Sequence, residues 1–171
     1  MVRLPPRALR PLQQMFRPTL LLWLTTMQPR FRHILVPLET AVRSHTALDV
    51  AFEMAVQNKA SVSLLHVVQA IEAGPDGPDE ETRQFYAQVG QRAESDLEQL
   101  ACRFQEALIE CEFKVHVGDR LQEILSFAAN HKVDLIVMCS HRIDPEHIAE
   151  TWATLSYKVS VLCECPVLLL K

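Results

Sequence analysis

Apolar residues in this chain alternate between short, nearly continuous runs and longer stretches where they recur every three or four positions. His33-Ile34-Leu35-Val36-Pro37-Leu38 is a run of the first kind, with Pro37 near its end, where a ladder donor can be spared. Ser61 to Val68 is a second, and its unbroken β-branched character suits a strand covered on both faces. Phe113 to Val117, closed by Gly118, then Asp134 to Cys139 and Val167 to Leu170 complete five predicted strands. The helical stretches lie between them. From about Arg43 to Gln57, Leu48, Ala51, Met54 and Ala55 share one face. After the acidic, Gly/Pro-bearing loop Ala73 to Asp79, a long helix runs to about Ile109, with Phe85, Val89, Ala93, Leu97, Leu100, Phe104 and Leu108 as one apolar stripe. Asp119 caps the next helix, and Gln122 completes a capping-box arrangement before Ile124, Leu125 and Phe127. Asp144, Pro145 and Glu146 read as a helix start, and Ile148, Trp152, Leu155, Val159 and Leu162 then predict an uninterrupted helix from about Pro145 to Cys163. Strands joined by crossovers of this length imply an α/β fold, a doubly wound parallel sheet with right-handed connections.

Charge divides the chain at its start. Arg3, Arg7, Arg10, Arg17, Arg30 and Arg32 precede the first acid, Glu39, so the remainder sets 11 basic residues against 21 acidic ones, a formal charge of −10. An acidic body argues against nucleic acid as a partner. Residues 1–30 hold five prolines and the apolar run Leu20-Leu21-Leu22-Trp23-Leu24, far short of the roughly 20 residues a membrane span needs. This segment has some presequence character without a clean cleavage site; its plainer reading is a disordered extension, or translated upstream sequence with Met27 as the working start. Residues 31–171 form the expected domain. Five cysteines, an odd number without a convincing secretion signal, point to reduced thiols in a cytoplasm and to no membrane partner.

Residue types alone would make Cys139, His141, His147, Cys163 and Cys165 a metal-ligand set. Topology separates them: Cys139 ends one parallel strand and Cys165 precedes the next, roughly 15 Å apart for a strand of about five residues. Cys163 and Cys165 remain a possible small metal or redox pair, against packed, reduced thiols. His66, on an apolar strand, reads as a satisfied core histidine. No nucleophile, base and orienting acid come together on spacing, so no catalytic residue is assigned.

The pieces His33-Ile34-Leu35-Val36-Pro37, Ser63-Leu64-Leu65-His66-Val67-Val68, Val117-Gly118-Asp119, Val133-Asp134-Leu135-Ile136-Val137-Met138 and Cys165-Pro166-Val167-Leu168-Leu169 occur in an order that resembles the universal stress protein family. The resemblance covers residues 31–171. It implies a five-stranded sheet of order 3-2-1-4-5, a homodimer formed through the last strand, and a cytoplasmic stress-linked role. Some members bind ATP and others do not.

The ATP-binding members carry Gly-x-x-Gly and, about nine residues on, Gly-Ser/Thr after the fourth strand. Here Cys139 and Arg142 stand at the first two glycine positions, and Ala153-Thr154 stands where Gly-Ser is expected. No glycine follows Gly118. Glu39 replaces the usual Asp after the first strand, followed by Thr40-Ala41. A side chain in such a loop hinders backbone approach to phosphate or, at positive φ, costs about 1 to 2 kcal/mol. The site implied by the resemblance comprises Leu38, Glu39, Val67, Met138 and Cys139, with Arg142, Ala153, Thr154 and Leu155 on the far side. Trp152 is the side chain best able to fill it, though an ordinary core or interface tryptophan is the plainer reading. The expected function is a regulatory or partner-binding protein of the stress response with an unknown protein partner and no tightly bound cofactor. The alternative is an ATP or adenine-nucleotide binder in which Arg142 and helix amides rebuild the phosphate loop.

Overall fold

The computed structural model describes residues 30–38, 45–70, 79–140 and 154–171. Its strands are β1 (His33–Leu38), β2 (Ser61–Gln69), β3 (Cys111–Gly118), β4 (Leu135–Cys139) and β5 (Val167–Leu170). All pair in parallel, in the order β3-β2-β1-β4-β5. The helices are α1 (His45–Asn58), α2 (Glu80–Glu106), α3 (Arg120–Asn130) and α4 (Leu155–Leu162). The sheet is doubly wound as the sequence pattern predicts, and its order is the one that the family resemblance implies.

Successive side chains on a strand point to opposite faces. Ile34, Val36, Val62, Leu64, Leu135 and Val137 therefore pack with α1 and α2, whereas Leu35, Leu65, Val67, Ile136 and Met138 pack with α3 and α4. Both faces are covered, which is why the central strands read as unbroken apolar runs. Each such side chain contributes about 1.5–3 kcal/mol on burial.

Two helix expectations need correction. Of the predicted stripe only Leu97 and Phe104 are buried, while Phe85 is 52% exposed and Leu108, beyond the helix end at Glu106, is 94% exposed. Length explains the exposed start: a helix of 27 residues spans about 40 Å against about 26 Å for the eight residues of β3. The helix outruns the sheet. At the other end of the chain, Thr154 is extended, with φ −67° and ψ 149°, and α4 starts afresh at Leu155. The uninterrupted helix from Pro145 is thus broken at Thr154; residues 145–153 lie outside the described residues, as do residues 1–29.

Three helices end in the same way. Lys59, Leu108 and Lys132 have φ of 53°, 59° and 53°, and the N–H groups of Ala60, Ile109 and Val133 reach back to the carbonyls of Ala55, Phe104 and Ala128 at 3.1, 2.9 and 3.0 Å. That is the six-to-one closure of a Schellman ending, usually given to glycine. In each case the next residue is a buried apolar one, at 4%, 8% and 7% exposure, leading into a strand. With only four glycines in the chain, these turns carry left-handed strain of about 1–2 kcal/mol each.

Candidate functional site

The chain winds from β1 outward to β2 and β3, then returns past β1 to β4 and β5. The described helices that follow β1 and β4, α1 and α4, pack on opposite faces of the sheet, and a crevice opens between the carboxyl ends of the two strands, the usual ligand position of such sheets. Pro37, Leu38, Leu65, Val67 and Met138 line it from the strands, Arg120 and Ile124 from α3, and Leu155 from α4. The enclosed volume is about 20 Å³. A cavity of roughly that size admits about one water, whereas small-molecule sites run to about 300–1,000 Å³. Val67, Ile124 and Met138, which line the crevice, are only 5%, 2% and 3% exposed.

Hydrogen bonds fix the rim. His66 Nδ1–H donates to the Leu38 carbonyl at 2.8 Å, tying the end of β1 to β2, in keeping with a satisfied core histidine. Asp119 Oδ1 accepts from the Gln122 N–H at 2.9 Å and caps α3 as the sequence predicts. Gly118 stands just before it: a Cβ there would lie 2.8 Å from Glu123 Oε1 and would displace that side chain, which pairs with His116 Nδ1 at 2.8 Å. Arg120 follows at the first position of α3, its N–H donating to Gln69 Oε1 at 3.4 Å. Across the crevice Thr154 occupies the N-cap of α4 without a side-chain cap bond. Its hydroxyl lies 3.4 Å from that of Ser156, and the buried Ser156 hydroxyl donates to Ser140 Oγ at 3.2 Å.

Of the sequence-derived site residues, Leu38, Val67, Met138 and Leu155 converge on the crevice, and Thr154 stands at its α4 side. Cys139 is not among the lining residues: its side chain packs with the α1/α2 core, as does that of Leu38, on the face opposite Met138. Glu39, Arg142 and Ala153 lie outside the described residues, as does Trp152. Sequence reasoning missed Pro37, Leu65, Arg120 and Ile124. Arg120 had a signal, since it directly follows a recognisable cap after a predicted strand.

Other chemistry is separated in space. Cys139 registers with Leu170 while Cys165 precedes the start of β5, so the two thiols sit toward opposite sheet edges. Among the described residues no group of three or more His, Cys, Asp or Glu side chains could hold a metal ion, and no helix is long and apolar enough to cross a membrane. Ser63 meets His33 Nε2 at 2.6 Å and donates to Glu112 Oε1 at 2.8 Å. With no exposed surface, Ser63 is a structural hydroxyl rather than a nucleophile.

The sequence model of the universal stress protein family matches residues 30–171. Similar solved structures include universal stress protein UspA from Lactobacillus plantarum, at 21% identity and TM-score 0.68, covering 83% of this chain and 99% of that one. A universal stress protein in complex with cAMP gives 16% identity and TM-score 0.64 over 83% of this chain and 98% of that one. One from Archaeoglobus fulgidus in complex with dAMP gives 17% and 0.53 over 83% and 99%. No curated protein matches the chain.

Proposed function

Because this chain belongs to the universal stress protein family, we propose that it acts as a dimeric regulatory or partner-binding module of the stress response, one that binds no adenine nucleotide tightly. The filled crevice carries this reading. Met138, Val67 and Ile124 leave about 20 Å³ where a base would have to enter, and a ligand would have to displace packed core side chains. Dimerisation has its own support. β5 is an edge strand whose Val167, Leu168, Leu169 and Leu170 are all partly exposed, and neighbouring Val161 and Leu162 are 61% and 57% exposed. An apolar edge of this kind is a pairing surface. Sedimentation should show a dimer at micromolar concentration, and Val161→Glu should weaken it; a wild-type monomer would reject the assembly.

A second reading keeps adenine nucleotide as ligand. It is favoured by the fresh start of α4 at Leu155, whose first amides lack a side-chain cap among the described residues, since a helix N-terminus attracts phosphate. Similar proteins hold cAMP and dAMP. Calorimetric titration of ATP and AMP separates the two readings. The first expects no saturable heat below millimolar nucleotide in the wild type and a gain in Met138→Ala, which hollows the crevice. Tight wild-type binding that falls at least about tenfold, or about 1.4 kcal/mol, in Arg120→Ala would establish the second.

A further inference from the structure

At the opposite end of α4 the chain brings two thiols together. Cys163 caps the helix in an extended conformation, φ −77° and ψ 140°, its N–H donating to the Val159 carbonyl. The chain bends through Glu164 and Cys165, and the Pro166 carbonyl accepts from the Ile136 N–H at 2.9 Å to begin β5. Both sides of the bend are anchored, and Pro166 restricts its exit. Within it Cys163 Sγ and Cys165 Sγ lie 3.3 Å apart, about 1.3 Å beyond a covalent sulfur–sulfur bond. A separate cavity of about 440 Å³ opens beside them. Leu125, Ala128, Val133 and Leu162 form its apolar wall, and Lys132 and Glu164 are its charged groups. It has the size of a small-molecule site.

We propose that Cys163 and Cys165 are a redox modification site, forming a reversible intramolecular disulfide by exchange with a small-molecule disulfide admitted through this cavity. The Cys163 thiolate attacks one sulfur of the incoming disulfide; that S–S bond breaks, one thiolate leaves, and Cys163 carries the mixed disulfide. Cys165 then attacks Cys163 Sγ and expels the second thiolate. Two protein thiols are oxidised, one small disulfide is reduced to two thiols, and the two protons pass to the leaving sulfurs. Burial pushes the Cys165 thiol up to about 12, and the hydrogen bond and charge of Cys163 add to this. With Cys163 in the mixed disulfide, Cys165, whose sulfur lies 3.3 Å from Cys163 Sγ in the reduced pair, is the resolving thiol.

The full-length reduced protein, incubated with oxidised glutathione, alkylated and digested with trypsin, tests this. The peptide Val159 to Lys171 carries Cys163 and Cys165 and no other cysteine. It should lose two hydrogens, escape alkylation, and recover both sites for alkylation after dithiothreitol. The Cys165→Ser variant should stop at the mixed disulfide, with glutathione retained on Cys163. A wild-type peptide that stays doubly alkylated, or that accumulates glutathione without losing hydrogens, overturns the proposal. So does a Cys165→Ser peptide that takes up no glutathione.

Discussion

At the amino edge of the sheet, side chains close onto backbone from several directions. Asp134 accepts from the Arg32 and His33 N–H groups at 2.8 and 3.1 Å, Asn58 Oδ1 accepts from the Arg30 N–H at 3.1 Å, and His33 Nδ1–H donates to the His131 carbonyl at 2.9 Å. The three Schellman endings lie at this edge too. At the carboxyl edge the crevice is held by side-chain packing, two helix starts and a ladder of hydroxyls. The contrast shows how one edge is locked by hydrogen bonds that need particular residues, while the other is filled by apolar volume that different side chains can supply. A binding site can be lost or rebuilt at the second edge without disturbing the first.

Substitutions at the amino edge should therefore be the most damaging. Asp134→Ala removes both acceptors for the start of β1 and should destabilise the fold by about 3 kcal/mol, from two bonds to a charged group. Urea unfolding measures this; a loss below about 1 kcal/mol would erase the contrast between the edges. Ser63→Ala removes the buried hydroxyl that joins His33 to the exposed Glu112 and should cost about 2 kcal/mol by the same measurement.

The helix endings allow a gain. Leu108 sits at φ 59° and is 94% exposed, so Leu108→Gly relieves left-handed strain and gives up almost no buried surface. Stability should rise by about 1 kcal/mol, a few degrees in Tm. An unchanged or lower Tm would show that the turn is not strained. The smallest effects compare two caps at the carboxyl edge. Asp119→Ala, which loses the bond from Gln122, should cost about 1 kcal/mol, whereas Thr154→Ala, with no cap bond to lose, should fall within about 0.5 kcal/mol of the wild type. Equal losses at the two positions would mean that Thr154 is as firmly built in as Asp119.

The strands were legible because a parallel sheet covered on both faces requires unbroken apolar runs, and Leu35, Leu64 and Ile136, all without exposed surface, are such positions; their order came from the family resemblance. The cap at Asp119 was legible for a local reason: its acceptor and donor lie three residues apart. Part of the site was legible as well, since Leu38, Val67 and Met138 stand at strand ends and topology carries strand ends to one edge. Periodicity failed at α2, where seven apolar positions made one stripe but the sheet was too short to cover them all.

Local order and strand assignment were thus determined by the sequence alone, because propensity, capping and alternation act between residues a few positions apart. What only the tertiary structure decided is which face each strand-end side chain takes and how much room remains between elements. Cys139 and Met138 are adjacent in sequence, yet one joins the α1/α2 core and the other fills the crevice. The space left over depends on how β1, β2, β4, α3 and α4 pack together, and no single segment carries that information.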